Sequence, residues 1–132
     1  MRMTILCLAA AAIAAAQDPS KPVLRAGVSV QMVTAPHAVE MRAADDLDAT
    51  VVAITSTGKV YNGTTVVEPQ SLGTLPAPTI YVKADARAPV QMLVSVLDAL
   101  RGKTVVLLAA PPPSVPKAGI LPPYGITLTV PR

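Results

Sequence analysis

The sequence predicts an α+β protein: a two-layer sandwich with a mixed β-sheet, two helices on one face and a C-terminal βαβ unit. Three neighbouring stretches carry this reading. Thr79-Ile80-Tyr81-Val82-Lys83-Ala84-Asp85 is β-branched and aromatic, which suits a pleated, partly buried surface. Between Pro89 and Arg101, Val90, Leu93, Val94, Leu97 and Leu100 recur at helical spacing, with Gln91, Ser95 and Asp98 opposite them. Thr104-Val105-Val106-Leu107-Leu108-Ala109-Ala110 is short and almost wholly apolar, as an inner strand is. Pro89 fits a first helical turn and Gly102 a left-handed C-terminal cap. Strands joined by a helical crossover are parallel, with a right-handed connection.

The other elements follow in chain order. Met1 to Ala16 reads as a signal peptide: Arg2, an apolar run from Ile5 to Ala16, and small residues at Ala14-Ala15-Ala16. The run is shorter than the roughly 20 apolar residues that span a bilayer. Cleavage would place the protein in the periplasm or outside the cell; an uncleaved inner-membrane anchor is the alternative. Lipidation at Cys7 is disfavoured by Thr4-Ile5-Leu6 before it. Residues 17–27 form a flexible lead-in. Val28 to Val33 alternates and predicts a first strand. Thr34 to Asp48 reads as a surface loop. Ala49 to Ser56 and Val60-Tyr61 predict a hairpin turning at Gly58, and Asn62-Gly63 marks a tight turn before Val66-Val67. Glu68 to Leu75 has room for about two helical turns before Pro76 and Pro78.

Residues 28–110 therefore form the domain, and residues 111–132 a tail. Half of the fourteen prolines lie in that tail, which reads as extended and poorly packed. Ile126-Thr127-Leu128-Thr129-Val130 alternates and can add a strand to its own sheet or to a partner's.

Composition excludes several functions. Apolar residues make up 52% of the 132 and charged residues 14%, so the chain can bury a core. It has no Trp or Phe, and its net charge of +3 is scattered, which argues against nucleic acid as a partner. The one cysteine, Cys7, lies in the leader, so the mature chain has no disulfide and no thiol nucleophile.

No site chemistry emerges from the titratable residues. His37 has no orienting partner or nucleophile in a motif. Asp45, Asp46 and Asp48 lack the spacing of a calcium loop, and no other metal-ligand spacing is present. Asp85 and Asp98 lie at opposite ends of the predicted helix; Asp85 suits a cap of the preceding turn, and Asp98 a pair with Arg101. Asn62-Gly63-Thr64 matches a glycosylation sequon that the tight turn already explains. The chain is expected to be no enzyme and to use no cofactor.

Ile80-Tyr81-Val82-Lys83-Ala84-Asp85, then Pro89, then Val96-Leu97-Asp98-Ala99-Leu100-Arg101, resembles the periplasmic domain of the ExbD/TolR biopolymer-transport family. Val28 to Met32 looks like that family's first strand, and Val51 to Ile54 with Gly58 to Gly63 like its hairpin. Such proteins are bitopic and work in proton-driven envelope motors through an Asp in a transmembrane helix. This chain offers no acid before Asp18, so that residue has no counterpart. It also has Gln31-Met32-Val33 where the family has Asp-Leu-Pro, Val90 where Tyr is common, and an extra proline-rich tail.

The resemblance thus implies an exported protein-interaction module, accessory to an envelope energy-transduction or transport system. The expected partner is a protein, such as a motor or receptor subunit, or a second copy of the chain; no small-molecule substrate is evident. The alternative is a secreted structural or interaction protein that keeps only the fold. The candidate binding edges are Val28, Val30 and Met32 in the first strand, and Ile126, Leu128 and Val130 in the last.

Overall fold

Hydrophobic spacing and turn chemistry place most of the observed elements. The computed structural model describes residues 27–116 and 119–132. The signal-peptide reading falls outside the described residues. Among the described residues no helix is long and apolar enough to cross a membrane. The strands are β1 (Val39–Glu40), β2 (Thr50–Ile54), β3 (Val60–Asn62), β4 (Thr65–Val66), β5 (Thr79–Ala84), β6 (Thr104–Ala109) and β7 (Tyr124–Thr129). Helix α1 spans Val90–Ala99, and short 3-10 helices span Arg42–Asp45 and Pro69–Thr74.

The strands form one seven-stranded sheet in the order β1-β7-β6-β5-β2-β3-β4. β5 lies parallel to β2 and to β6, and all other neighbours are antiparallel. The sheet is mixed, and β5-α1-β6 is the expected βαβ unit. Pro89 caps α1 in an extended conformation, and Gly102 follows it at φ +80°, where a side chain would be strained.

One face of the sheet holds the main core. Val52, Ile54, Val60, Ile80, Val82 and Val105 from the strands meet Leu72 of the second 3-10 helix and Val96 and Leu100 of α1. Both helical elements therefore cover the same face, as predicted. The Glu68–Leu75 segment, however, is a 3-10 helix, opened by Pro69. Lys103 Nζ ties the chain that follows it, donating to the carbonyls of Leu75 and Ala77.

The buried row of α1 differs from the predicted stripe. Val96 and Leu100 are fully buried, with Met92, Leu93 and Leu97 packed beside them, whereas Val90 is 73% and Val94 57% exposed. The helix packs against both the sheet and Leu72, and this turns Val96 inward. The polar row of Gln91, Ser95 and Asp98 stays exposed opposite Val96 and Leu100, and the apolar arc beside it is wide enough to leave Val90 and Val94 at its exposed edge.

The Val28–Val33 segment is not a strand. It runs extended and crosses the C-terminal ends of the parallel strands, where the Ala86 amide donates to Gln31 O (2.7 Å) and the Ala110 amide to Val33 O (2.9 Å). Thr34 makes one isolated parallel bridge to Ala110. The alternation reflects burial alone: Met32 packs on the second face of the sheet with Ala44, Val106 and Leu108.

Two further corrections concern surface segments. The loop predicted over Thr34–Asp48 contains β1 and a 3-10 turn, and it buries Ala38 and Ala44. The tail is not poorly packed: β7 pairs with β6 along its whole length, from Ala109↔Tyr124 to Thr104↔Thr129. Tyr124 is buried with Ala38 and Ala109. The alternating Ile126–Val130 stretch has joined its own sheet.

Candidate functional site: an open strand edge beside an apolar groove

A strand's backbone groups point alternately to its two neighbours, so one bond fixes the direction of all the rest. On β7 the reference is Pro123, whose carbonyl accepts from Met41 N at 2.7 Å, on the β1 side. Residues 125, 127 and 129 therefore face the same way. Thr104 N, which donates to Pro78 O beside β5, gives the same answer from β6: it turns Val105 and Leu107 toward β7, against Leu128 and Ile126.

β1 covers only Tyr124 and Gly125. Beyond it, Thr127 and Thr129 each present one N–H and one C=O outward, with no backbone partner on that side among the described residues. Native sheets usually blunt such an edge with charge, proline or a bulge. Here Ile126-Thr127-Leu128-Thr129 carries no charge, and Pro131 comes only after the strand.

The side chains of this edge divide by face. Ile126 and Leu128 lie on the α1 side, opposite Leu107 and Val105, while Thr127 and Thr129 lie on the other. Ile126 is 41% exposed and borders a groove of about 350 Å³. Leu107, Val90 and Leu93 line it from β6 and α1, and Val33 and Ala35 from the crossing segment. The groove is apolar except where Asp85 reaches its lip. An uncharged edge next to an apolar groove suits an extended peptide: backbone pairing supplies affinity, and pockets for alternate side chains supply selectivity.

Asp85 closes the turn between β5 and α1 and is buried. Its Oδ1 accepts from the Arg87 backbone amide (2.9 Å) and Arg87 Nε (3.0 Å). Its Oδ2 accepts from the Gln31 amide (3.1 Å) and Arg87 Nη2 (3.3 Å). The bonds from the Arg87 side chain, the Arg87 amide and the Gln31 amide hold its carboxyl well below the usual carboxylate range. A carboxylate so stabilised as the anion is a poor proton carrier near neutral pH. Its role is to clamp the crossing segment to the start of the helix.

Asp85→Asn is therefore expected to weaken the fold in a pH-dependent way. The folded pKa lies below the unfolded one, so the contribution is complete above about pH 4 and fades as acid protonates the group. Urea titrations of both proteins should show a stability gap at pH 7 that narrows by pH 3. A gap independent of pH would contradict the clamp.

The predicted site residues separate into two groups. Ile126, Leu128 and Val130 share one face of the last strand segment. Val28, Val30 and Met32 are half-buried in the crossing segment and offer no ladder edge. His37 sits exposed in a turn, and Asp45, Asp46 and Asp48 are exposed. Arg101 Nε lies 3.7 Å from Asp98 Oδ1, the predicted i,i+3 pair, and also donates to the Asp98 carbonyl at 3.1 Å. No group of three or more His, Cys, Asp or Glu side chains able to hold a metal occurs among the described residues.

Sequence reasoning missed Thr127 and Thr129, whose backbone matters rather than their side chains. It also missed the Gln31–Asp85 bond, which spans 54 residues. Val90 was legible as apolar, and it is its exposure on the groove wall that the sequence did not show. No family model, no curated protein and no solved structure matches this chain.

Proposed function

We propose that this chain is a non-catalytic, exported protein-interaction module, and that it binds by adding a partner's strand to the outer edge of β7. The observation that carries this reading is the uncharged Ile126–Thr129 edge, with the outward backbone groups of Thr127 and Thr129, beside the apolar groove. A second copy of the chain could pair there antiparallel, because the Ile-Thr-Leu-Thr alternation is complementary to itself.

We further propose that the partner belongs to an envelope energy-transduction or transport system. Support comes from the ExbD/TolR-like stretch and from the order in which its elements appear. The strand leading to Lys83-Ala84-Asp85, the helix opened by Pro89 and the Val-rich strand after it follow the family's sequence of elements. The experiment is cross-linking and pull-down of the tagged protein from its native envelope, with the mature N-terminus read in the same sample. The reading predicts processing near Ala16 and specific recovery of a polytopic motor subunit or a membrane-anchored ExbD/TolR-like protein. Recovery of neither would contradict the transport role.

A further inference from the structure

Asn62-Gly63 carries chemistry that strand binding does not use. Asn62 ends β3, and Gly63 begins the two-residue turn to β4 at φ +65°. Glycine leaves its backbone nitrogen unhindered by a side chain, so that nitrogen can attack the preceding asparagine's Cγ. Attack forms a bond from Gly63 N to Asn62 Cγ and closes a succinimide. The bond to the side-chain nitrogen breaks, and ammonia leaves with the former amide proton. Water then opens the ring at either carbonyl. One opening gives aspartate, and the other gives isoaspartate, whose main chain runs through Cγ.

The folded hairpin holds this reaction shut. Gly63 N–H donates to Val51 O at 3.0 Å. Asn62 is paired with Val52 on one side and Thr65 on the other. Turning the Gly63 nitrogen toward the Asn62 side chain rotates the peptide between them and breaks this pairing. The closure is weak at its outer end, however. β4 is two residues long, pairs only with β3 among the described residues, at the end of the sheet, and exposes both Thr65 and Val66. Such a ladder end opens well before the core does.

We infer that Asn62 is a site of deamidation gated by local opening of the β3–β4 hairpin, not by global unfolding. The isoaspartate product cannot rebuild the hairpin, because its longer main chain breaks the Asn62↔Val52 and Asn62↔Thr65 register.

The test incubates the protein at mildly alkaline pH, folded and in strong urea, and follows the Asn62 peptide by mass spectrometry with enzymatic isoaspartate labelling. The folded chain should react about tenfold more slowly or slower still, the factor that an opening free energy of ~1.4 kcal/mol produces. Across the folded baseline its rate should be flat in urea, since local opening exposes little surface. Thr65→Pro, or Val66→Gly if the first variant misfolds, should bring the folded rate close to the unfolded one. Equal rates in folded and unfolded chains would overturn the inference. So would a folded rate that climbs with the urea dependence of global unfolding, or no acceleration in a folded hairpin variant.

Discussion

Leu100→Ala is expected to lower the folding free energy by about 2–5 kcal/mol. Leu100 is fully buried one residue past the end of α1. It belongs to the cluster that joins β2, β3, β5 and β6 to both helical elements on that face. The cluster contains no aromatic side chain, so Leu and Ile are its largest members and no neighbour is bulky enough to fill the space left behind. The backbone has little freedom to collapse inward. Gly73 packs against the last turn of the helix, so close that an added Cβ would lie 3.0 Å from Ala99 O. Lys103, just beyond Leu100, ties the Leu75–Ala77 segment. The cost should therefore lie in the upper half of the range, and urea denaturation monitored by circular dichroism measures it. A loss below about 1 kcal/mol, the size of a surface substitution, would contradict the assigned core.

Gly125→Ala is expected to cost about 1–3 kcal/mol, with damage concentrated on the last strand. Gly125 is buried between β6 and the chain leading into the first 3-10 turn. An added Cβ would lie 2.9 Å from Leu107 O, 3.0 Å from Val106 Cγ1 and 3.3 Å from Met41 Cγ. Met41 could move, but a carbonyl in the adjacent strand cannot without shifting the β6–β7 ladder. β7 has to give way, and the proposed binding edge goes with it. Hydrogen exchange should show lost protection at Ile126 and Leu128, whose amides face β6, while the amides of β2 and β5 stay protected. Unchanged protection at Ile126 and Leu128 would contradict the close approach.

Much of this architecture is legible in the residues. The βαβ unit is readable because local signals agree there: Pro89 before the helix, Gly102 after it, and β-branched runs on either side. The hairpin turns announce themselves through Gly58 and Asn62-Gly63. Where local signals were ambiguous, tertiary contacts decided. Val28–Val33 alternates like a strand, but the Ala86 amide and the Asp85 carboxylate capture it as a crossing segment. β1 is two residues long and has no pattern of its own. It forms because the turn from Ala35 to Ala38 delivers it beside Tyr124.

The candidate site was half legible. Ile126, Leu128 and Val130 stand out by alternation, since period two marks any half-buried strand. Which backbone groups of β7 face outward depends on the Met41–Pro123 bond, a contact between distant parts of the chain. The groove likewise needs Val33, Val90 and Ile126 brought together from three separate stretches. No spacing in the sequence encodes that meeting.

The central claim is that partners add to the outer edge of β7, and proline placement tests it most directly. At Thr127 the N–H points away from β6, so Thr127→Pro removes an outward donor and leaves the β6–β7 ladder intact. At Leu128 the N–H faces β6, so Leu128→Pro should instead unfold the strand. The measurement is native-envelope pull-down, with self-association by sedimentation, for the wild type and Thr127→Pro after circular dichroism has established that both are folded. The account predicts that Thr127→Pro folds and loses the partner, or the self-association, that the wild type shows. Full binding by a folded Thr127→Pro protein would contradict it and move the interface away from β7.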